Sequence, residues 1–565
     1  MPARRAPDGG RGRHQTAAVP RARPTRAGGV PRRQPSRHVP RPPGRGAKAA
    51  HDHEVAELTE RPFPPGAYPL VVVGSGPGAL QLTYTLRGMG IDHAVISQDD
   101  APGGMFRKWP IFQRMLSWTK PFAEQKRGSR EYERYDWNSM LGEEQDTRAI
   151  MPTVMDGTSY FPSRPEMERG LATFAQRTGL QVRHGCRWEA TRRLEGGDLV
   201  LETSDGEYRA PTIVFAVGVS QPWRPPVLDL EGVEQYGDLR PAETYRDRRV
   251  FIVGKQNSGF EIASGLLPWA RQIVLASPSP AQLSVQTHSL VGVRARYVQP
   301  YEDYALAGGV VILDASIEKV ERDRDVFHVT TKSAHEDHPR HFVADDVIAA
   351  TGFTCPLLDL PEIGVATFGQ SRLPAQTPFW RSVSIDGVYF AGTIMQGSQG
   401  LRKHGIPSNS GAVQGYRYNA RVLARHLAET RFGKPRQRRA IKPDEVIPLL
   451  LAEASRGPEL WHQRSYLARV VSLDRAEGIF DEGILPLAHF VDDSDGPDAV
   501  AITLESNGQD PPYPTAYIRR RGQTLHERSL QPPDILLEYD GPAYARELAA
   551  ALEPVLDQAL TRVTP

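Results

Sequence analysis

The sequence predicts an α/β protein with two doubly wound, Rossmann-like dinucleotide-binding domains, the second inserted in the first, followed by a C-terminal α+β module. Two glycine turns carry this prediction, at residues 71–79 and 250–259. Each turn follows an apolar run typical of a buried parallel strand and precedes a helical pattern. A chain of 565 residues with 39% hydrophobic and 24% charged residues is long enough for two or three domains.

The elements can be followed in order along the chain. The first unit, residues 68–96, has the pattern strand, turn, helix and strand. After it come, in this order, a helix at 165–177, strands in 180–217, a second turn unit with its helix at 260–270 and strand at 272–276, and strands in 310–350. The chain then returns through residues 387–393 to a long helix at about 411–430, so the second domain interrupts the first.

The C-terminal region contains no recognisable chemical motif. Residues 433–439 are polar and suit a linker, 445–480 have a helical pattern, and 499–540 alternate as short strands around two Xaa-Gly turns, Asn507-Gly508 and Arg521-Gly522, before a last helix from Tyr544. We expect this module to serve packing or dimerisation. The predicted domains are a tail (1–65), a first dinucleotide-binding domain (66–240 and 355–432), a second dinucleotide-binding domain (241–354), and the linker with the C-terminal module (433–565).

Charge is distributed unevenly along the chain. Residues 1–50 contain thirteen basic residues and one acidic residue, so with a whole-chain net charge of +2 the remaining residues carry about −10. An acidic body disfavours nucleic-acid binding, and no apolar run approaches the length of a membrane helix. The Arg- and Pro-rich tail has three possible interpretations: a disordered segment, an over-extended start codon, or a tail that binds nucleic acid or a partner.

Only two cysteines are present, Cys186 and Cys355, and they are far apart in the sequence. This excludes a cysteine-based zinc site and a thioredoxin-reductase-type Cys-x-x-Cys pair, and no other metal site is predicted. Both thiols are expected to be reduced and buried, as in a cytoplasmic protein.

The first turn has the residues that a pyrophosphate needs. Gly74 permits the tight bend, Gly76 lets the backbone approach the phosphates, and Ala79 allows the helix to pack on the strand. The acidic residue expected about 20 positions later is replaced by Ser97 and Gln98, which can still bind a ribose hydroxyl.

The second turn departs from the pattern because Gln256 replaces its middle glycine, which limits close approach to a phosphate. Lys255 adds a positive charge beside it. The alternative is a degenerate turn that is kept for the fold alone. Two dinucleotides in one chain indicate electron transfer between them, most often from a nicotinamide to a flavin.

Several segments together resemble the class B flavin-dependent monooxygenases, over about residues 68–430. They are the first turn, Pro102-Gly103-Gly104-Met105-Phe106, Tyr160-Phe161-Pro162-Ser163-Arg164, the second turn with Asn257-Ser258-Gly259, and Ala350-Thr351-Gly352-Phe353. The resemblance implies FAD in the first site, NADPH in the second, and molecular oxygen as co-substrate.

The resemblance also implies which residues bind each cofactor. The residues expected at FAD are Gly74, Gly76, Gly78, Ala79, Ser97, Gln98, Gly104, Met105, Gln113, Gly392 and Thr393. The residues expected at NADPH are Gly254, Lys255, Gln256, Asn257, Ser258, Gly259, Arg296, Thr351 and Gly352.

Two further segments narrow the resemblance. The Baeyer-Villiger branch carries a histidine fingerprint that residues 237–245 lack, which disfavours carbon oxygenation. Residues 112–121 resemble the glutamine and lysine segment of the amino-acid N-hydroxylases, and together with 132–138 they are similar to the aspartate N-monooxygenases that form nitrosuccinate.

An acidic amino acid also needs basic partners for its carboxylates. The candidates are Lys120, Arg294, Arg402, Lys403 and His404. Arg294 and Arg296 could equally contact the NADPH 2′-phosphate. The alternative for all these basic residues is that they are exposed to solvent on the protein surface and bind no ligand. No residue is assigned with certainty as catalytic, because the flavin carries the chemistry.

The sequence therefore predicts an FAD- and NADPH-dependent N-monooxygenase of a small acidic amino acid, most simply L-aspartate oxidised through N-hydroxyaspartate to nitrosuccinate in natural-product biosynthesis. The alternatives are a broad-range S- or N-oxygenase, a reductase that passes electrons to a partner protein, and a flavin-binding protein with little turnover. The expected partner is a small molecule, in a cytoplasmic protein without nucleic-acid or membrane binding. Homo-oligomerisation stays open.

Overall fold

The first glycine turn follows the central strand of a five-stranded parallel sheet. The structure is a computed structural model that describes residues 61–108, 114–285, 292–333, 338–474, 477–492, 496–520 and 523–560. In spatial order, the strands of this first sheet are Val388–Phe390, Ile213–Phe215, Val71–Val73, Ala94–Ser97 and Arg183–His184. The central strands are fully buried, as expected of a parallel sheet covered on both faces.

The second glycine turn belongs to a seven-stranded sheet. In spatial order, its strands are Glu234–Gln235, Asp346–Ala349, Arg249–Val253, Gln272–Ser277, Val310–Asp323, Val326–Ser333 and Arg340–Ala344. The first five pair in parallel and the last two extend the sheet as an antiparallel hairpin. In the sequence, all seven strands fall between Ile213–Phe215 and Val388–Phe390, which are neighbouring strands of the first sheet. The predicted insertion of the second domain in the first is therefore confirmed.

Smaller sheets flank the two nucleotide sheets. One has four strands, in the order Gly66–Ala67, Gly206–Ala210, Leu199–Thr203 and Trp188–Arg193. Two strand pairs complete this set, Gln221–Pro222 with Phe353–Thr354 and Thr367–Phe368 with Leu373–Pro374.

The α-helices follow the predicted order. They are Pro77–Gly88, Met151–Val154, Arg164–Thr178, Asn257–Leu266, Gln299–Ala305, Val413–Phe432, Pro443–Arg456, Pro458–His462, Leu487–Asp492 and Pro542–Leu560. Ser163 and Glu166 form a capping box at the start of Arg164–Thr178, which fixes that helix where the sequence predicts it. None of the helices in the described ranges combines the length and apolar character that crossing a membrane requires.

The C-terminal module is an antiparallel six-stranded sheet packed with helices. The strands are, in spatial order, Arg439–Ala440, Gly478–Pro486, Leu467–Asp474, Ala499–Glu505, Tyr513–Arg520 and Gln523–Ser529. The helical pattern predicted over 445–480 is correct to His462 and wrong beyond it, because buried β-branched residues such as Val470 and Val471 pair as a strand. The turn expected at Arg521-Gly522 lies outside the described residues.

The module is joined to the flavin domain by a buried group of charges. A guanidinium nitrogen of Arg130 contacts the carboxylates of both Glu453 and Glu459, the latter at 2.6 Å. The described residues belong to one compact unit, and a single hydrophobic cluster extends from the flavin-domain helices into the module.

A second contact between these parts is built from aromatic rings. His426, on the helix Val413–Phe432, stacks on Phe379 with ring centroids 4.0 Å apart, and His489 of the module meets the same phenyl ring at 4.7 Å. Burial, together with the charges of His489, Arg381 and Arg431, lowers the pKa of His426 to about 4. Arg381 and Arg431 also contact the carboxylate of Asp386.

This shift predicts a loss of stability in mild acid. The folded protein holds His426 neutral while the unfolded chain binds a proton near pH 6.5, so the stability from this group is lost as the pH falls from 6.5 towards 4. Between pH 7 and pH 5 we expect a loss of about 2 kcal/mol in the free energy of unfolding. Urea unfolding at both pH values measures it.

The variant His426→Phe keeps a ring on Phe379 but has no titrating group, so its stability should change less over the same pH interval. His328→Phe, which replaces an exposed histidine on the strand Val326–Ser333, should keep the full loss. Equal losses in His426→Phe and the parent would contradict this origin.

Candidate functional site

The first turn has the shape of a phosphate cradle. Gly74 has a φ of 125°, and a Cβ there would lie 2.5 Å from the carbonyl oxygen of Ala216. Gly76 is the N-cap of the helix Pro77–Gly88, so free N–H groups face the turn. A Cβ on Gly78 would lie 2.3 Å from the Cα of Gly392, which shows how closely the helix approaches the loop after the strand Val388–Phe390. These residues fit a bound FAD pyrophosphate.

The neighbouring residues close the cradle. The hydroxyls of Ser97 and Ser75 are both buried and 2.8 Å apart, while Gln98 is exposed. Gly104 lies beside Asp99, since a Cβ on Gly104 would be 3.0 Å from the Asp99 Cβ. An acidic residue is therefore present next to the first turn, although it is not at the position that the sequence pattern predicts. The terminal methyl of Met105 covers Gly76. Gln113 lies outside the described residues.

The second turn repeats the geometry of the first. Gly254 has a φ of 117°, and a Cβ there would lie 2.5 Å from the carbonyl oxygen of Ala350. Gly259 packs as closely on the turn, because a Cβ at Gly259 would lie 2.4 Å from the carbonyl oxygen of Gly254. Gln256 is the exposed N-cap of the helix Asn257–Leu266, with Ser258 in the first turn of that helix. The replacement of the middle glycine therefore leaves the cradle intact, and the turn fits a second dinucleotide.

The position of Lys255 differs from the expectation. Its side chain is fully buried, and its Nζ contacts the Asp314 carboxylate on the strand Val310–Asp323. Burial lowers the pKa of Lys255 to about 8. Because the amine is engaged inside the domain, it does not supply the phosphate contact that the sequence suggested.

Asn257 connects the nucleotide turn to the loop that carries Arg294. The Asn257 amide donates to the carbonyl of Gly292 at 3.0 Å, and its oxygen accepts the backbone N–H of Arg294 at 2.9 Å. Arg296 is exposed and lies over the ring of Phe161 at 4.7 Å. Thr351, which directly precedes Gly352, donates its hydroxyl to the Trp223 carbonyl.

A cavity of about 890 Å³ lies where three parts of the chain meet. Phe106 and Thr393 come from the flavin side, Asn257 from the nucleotide side, and Trp461, His462, Arg464 and Ser465 from the C-terminal module. Four basic side chains are among its described lining residues: Lys120, Arg134, Arg294 and Arg464. Aspartate and glutamate are absent from that described lining, so the cavity is strongly positive.

Trp118 organises one wall of the cavity. Its ring lies 5.9 Å from Nζ of Lys120 and 6.0 Å from Cζ of Arg294, and it packs on Trp137 with centroids 3.7 Å apart. Burial lowers the pKa of Arg294. Two of the five residues predicted to bind substrate are thus brought together here.

The other three predicted substrate residues are not in the cavity lining. Lys403 contacts Glu505 at 2.7 Å and also Glu527, and although burial alone would lower its pKa, these carboxylates raise it. Arg402 donates to the side chain of Gln399 at 3.2 Å, and His404 meets the Tyr513 hydroxyl. The loop turns towards the C-terminal module because two of that module's glutamates neutralise its lysine, which corrects the expected substrate contact.

Sequence reasoning missed the contribution of the C-terminal module and of Arg134. Trp461, His462 and Arg464 all line the cavity, although no sequence motif marks them. His462 Nε2 is 3.1 Å from the carbonyl of Glu133 and therefore donates to it. Burial lowers the pKa of His462 well below its ordinary value, so the imidazole is neutral.

Both cysteines are buried away from this cavity. Cys186 and Cys355 are free thiols in the hydrophobic cluster of the first sheet, and burial raises the pKa of each. The described lining of the cavity contains no cysteine. Neither cysteine is therefore placed to act as the nucleophile of a thiol–disulfide exchange at this cavity.

The chain is similar to two curated proteins that share one name. The FAD-dependent oxidoreductase domain-containing protein 2 of Mus musculus is 26% identical over 449 residues, which are 73% of this chain and 65% of that protein. The Danio rerio protein of the same name is 28% identical over 44% of this chain and 36% of its own length. The chain thus spans less than two thirds of the curated relatives that it matches.

Among solved structures, a bacillithiol disulfide reductase from Bacillus cereus superposes with a TM-score of 0.50 at 18% identity, over 64% of this chain and 99% of the other. That similarity supports the fold. The pyridine nucleotide-disulphide oxidoreductase family model matches residues 71–392, which are more than half of the chain. The matched range extends from the strand before the first turn to the loop at Gly392 that packs on Gly78. The chain therefore belongs to the pyridine nucleotide-disulphide oxidoreductase family and uses FAD and NADP(H), and its two glycine turns have the shape to hold two dinucleotides.

Proposed function

We propose that the protein is a flavin-dependent N-monooxygenase that uses FAD, NADPH and molecular oxygen to oxidise the amine of a small acidic amino acid. L-Aspartate is the proposed substrate, converted through N-hydroxyaspartate to nitrosuccinate. The observation that carries the proposal is the charge of the cavity, which has four basic side chains and no carboxylate in its described lining.

The positive lining selects an anionic ligand. Lys120 and Arg294 flank Trp118 and can hold a carboxylate at this wall, Lys120 as a point charge and Arg294 through paired N–H groups. An amino acid with a cationic side chain would be repelled by the same groups. A broad-range oxygenase of apolar sulfides or amines does not need a positively charged cavity to bind its substrates.

The same positive charges favour the neutral, unprotonated form of the substrate amine. An attacking nitrogen needs a free lone pair, and nearby positive charges disfavour the protonated ammonium form. Because the described lining offers no carboxylate to stabilise that ammonium, the substrate amine loses its proton more readily inside the cavity than in water. The aromatic wall of Trp118, Trp137 and Trp461 excludes water from the site.

The flavin, when bound and reduced by NADPH, supplies the activated oxygen. In the first step one oxygen atom joins the nitrogen and the other leaves as water, with two electrons from NADPH. The absence of a cysteine from the described lining supports a small acceptor over a disulfide. The residues of the chain contribute binding, orientation and the exclusion of water.

The test follows NADPH oxidation by the FAD-loaded protein with L-aspartate, with L-ornithine and without an amino acid. We expect aspartate alone to accelerate NADPH oxidation, and mass spectrometry to detect an N-hydroxylated product before nitrosuccinate. Unchanged NADPH oxidation with no oxidised nitrogen would contradict the proposal. Reduction of a protein or low-molecular-weight disulfide would instead support the reductase alternative.

A further inference from the structure

Two arginines from distant parts of the chain lie against one tryptophan. The Cζ of Arg134 is 4.4 Å and that of Arg464 is 4.1 Å from the ring centroid of Trp461. Arg134 ends the 3-10 helix Glu131–Arg134 of the flavin domain, whereas Arg464 follows the helix Pro458–His462 of the C-terminal module. All three side chains line the cavity.

Neither guanidinium has an anionic partner among the described residues. Arg134 donates from Nη1 to the Ser455 carbonyl at 2.9 Å, and Arg464 makes no side-chain hydrogen bond within the part of the chain that the structure describes. The Nε atoms of both arginines are buried and without a hydrogen-bond partner. Burial lowers the pKa of Arg134 and, with repulsion from Arg134, lowers the pKa of Arg464 to about 10.

This arrangement is costly without a ligand. Two like charges are held together in a partly buried place, and each keeps an unused N–H donor. A carboxylate removes both costs, because its two oxygens accept from guanidinium donors and its charge offsets theirs. Both guanidinium groups lie close to the indole ring of Trp461, and cation–π attraction offsets only part of this cost.

We propose that Arg134, Trp461 and Arg464 form a carboxylate-binding subsite, and that the C-terminal module thereby completes the active site. The assignment of the anion as a substrate carboxylate rests on the proposed function. Lys120 and Arg294 at Trp118 then take the second carboxylate, so a dicarboxylic substrate is held at both ends. Specificity for a dicarboxylate over a monocarboxylate follows from the two separate groups of charges.

A phosphate of the bound dinucleotide is the other source of such an anion. The nucleotide turn reaches the cavity through Asn257 and Arg294, whereas Arg134 and Arg464 are placed by the 131–134 helix and the module. A subsite for the substrate should therefore respond to dicarboxylates and leave NADP⁺ binding unchanged.

The test measures equilibrium binding to the oxidised, FAD-loaded protein by calorimetry. Succinate is the probe because it has two carboxylates and no amine to oxidise, and propionate and NADP⁺ are the comparisons. We expect Arg134→Met and Arg464→Met each to weaken succinate binding at least about tenfold, because each variant removes a charge-assisted hydrogen bond to a carboxylate. Arg464→Lys should retain part of the affinity, and NADP⁺ binding should not change.

The matched control is Arg246→Met, which removes an exposed arginine from the ring of Trp269 at 5.1 Å, outside the cavity. Succinate binding should be unaffected by it. The proposal is overturned if the cavity variants bind succinate as the parent does while retaining their flavin, or if they lose NADP⁺ affinity instead. If aspartate yields no oxidised nitrogen but succinate binding still depends on both arginines, the subsite stands and only the proposed reaction fails.

Discussion

Replacing Gly78 with alanine is expected to give a folded protein that purifies largely without FAD. The new Cβ would lie 2.3 Å from the Cα and 2.5 Å from the N of Gly392, and both are backbone atoms that cannot rotate away. The helix Pro77–Gly88 must therefore shift from the loop, which moves its N-terminal N–H groups off the pyrophosphate. Overpacking of this kind costs about 1–3 kcal/mol or more. The ratio of flavin to protein absorbance measures the loss.

Gly88→Ala is the matched control in the same helix. Nothing lies within 4 Å of its Cβ position, so alanine should be accepted there with full flavin content. Stability should rise slightly, by up to about 0.5–1 kcal/mol, because glycine is a poor helix former. A normal flavin content in Gly78→Ala would show that the turn does not hold the cofactor.

Replacing Arg130 with methionine is expected to destabilise the protein by about 3–5 kcal/mol, because Glu459 loses its ion pair and Glu453 keeps only the longer contact with Arg469, at 3.5 Å. Arg130 contacts Glu453 and Glu459, whose side chains are 4% and 10% exposed, while its own side chain is 38% exposed. The cost therefore comes from the carboxylates that stay behind. Chemical unfolding at pH 7, monitored by flavin release and by circular dichroism, measures it.

The pH dependence identifies the cause. Burial already raises the pKa of Glu453 although Arg130 opposes that rise, and against the effect of burial Arg130 helps to lower the pKa of Glu459. Without the guanidinium we expect both pKa values to rise, so the destabilisation is present at pH 7 and shrinks as the pH falls towards the unfolded carboxyl pKa. Arg192→Met removes an exposed arginine that pairs with Glu202 and Glu207, and should cost about 0–1 kcal/mol. Equal effects of the two substitutions would refute a buried charge group at the module interface.

The two turns could be predicted from the sequence because their determinants are local. A strand, a glycine with positive φ and a helix N-terminus lie within ten residues of each other, and the same local pattern recurs at Gly74 and Gly254. The order of the elements also indicated the insertion of one domain in the other. Local pattern failed after His462, where burial against the six-stranded sheet overrides a helical spacing.

The cavity could not be predicted in the same way, because its charges are set by contacts between distant segments. Arg134 and Arg464 are separated by more than three hundred residues, and each is an ordinary arginine in its own segment. Lys403 has a suitable position in the chain, but Glu505 and Glu527 of the module neutralise it. Free and neutralised cations look alike in a sequence.

The side chain of Asn257 has a thermodynamic consequence. The Asn257 side chain ties the start of the nucleotide-binding helix, which begins at Asn257 itself, to the backbone of Gly292 and Arg294. A ligand at the nucleotide turn that moves Asn257 therefore also moves the backbone of Arg294, and linkage makes any resulting change in affinity mutual. A single side chain thus provides a physical connection through which the nucleotide turn and the Arg294 wall of the cavity can affect each other.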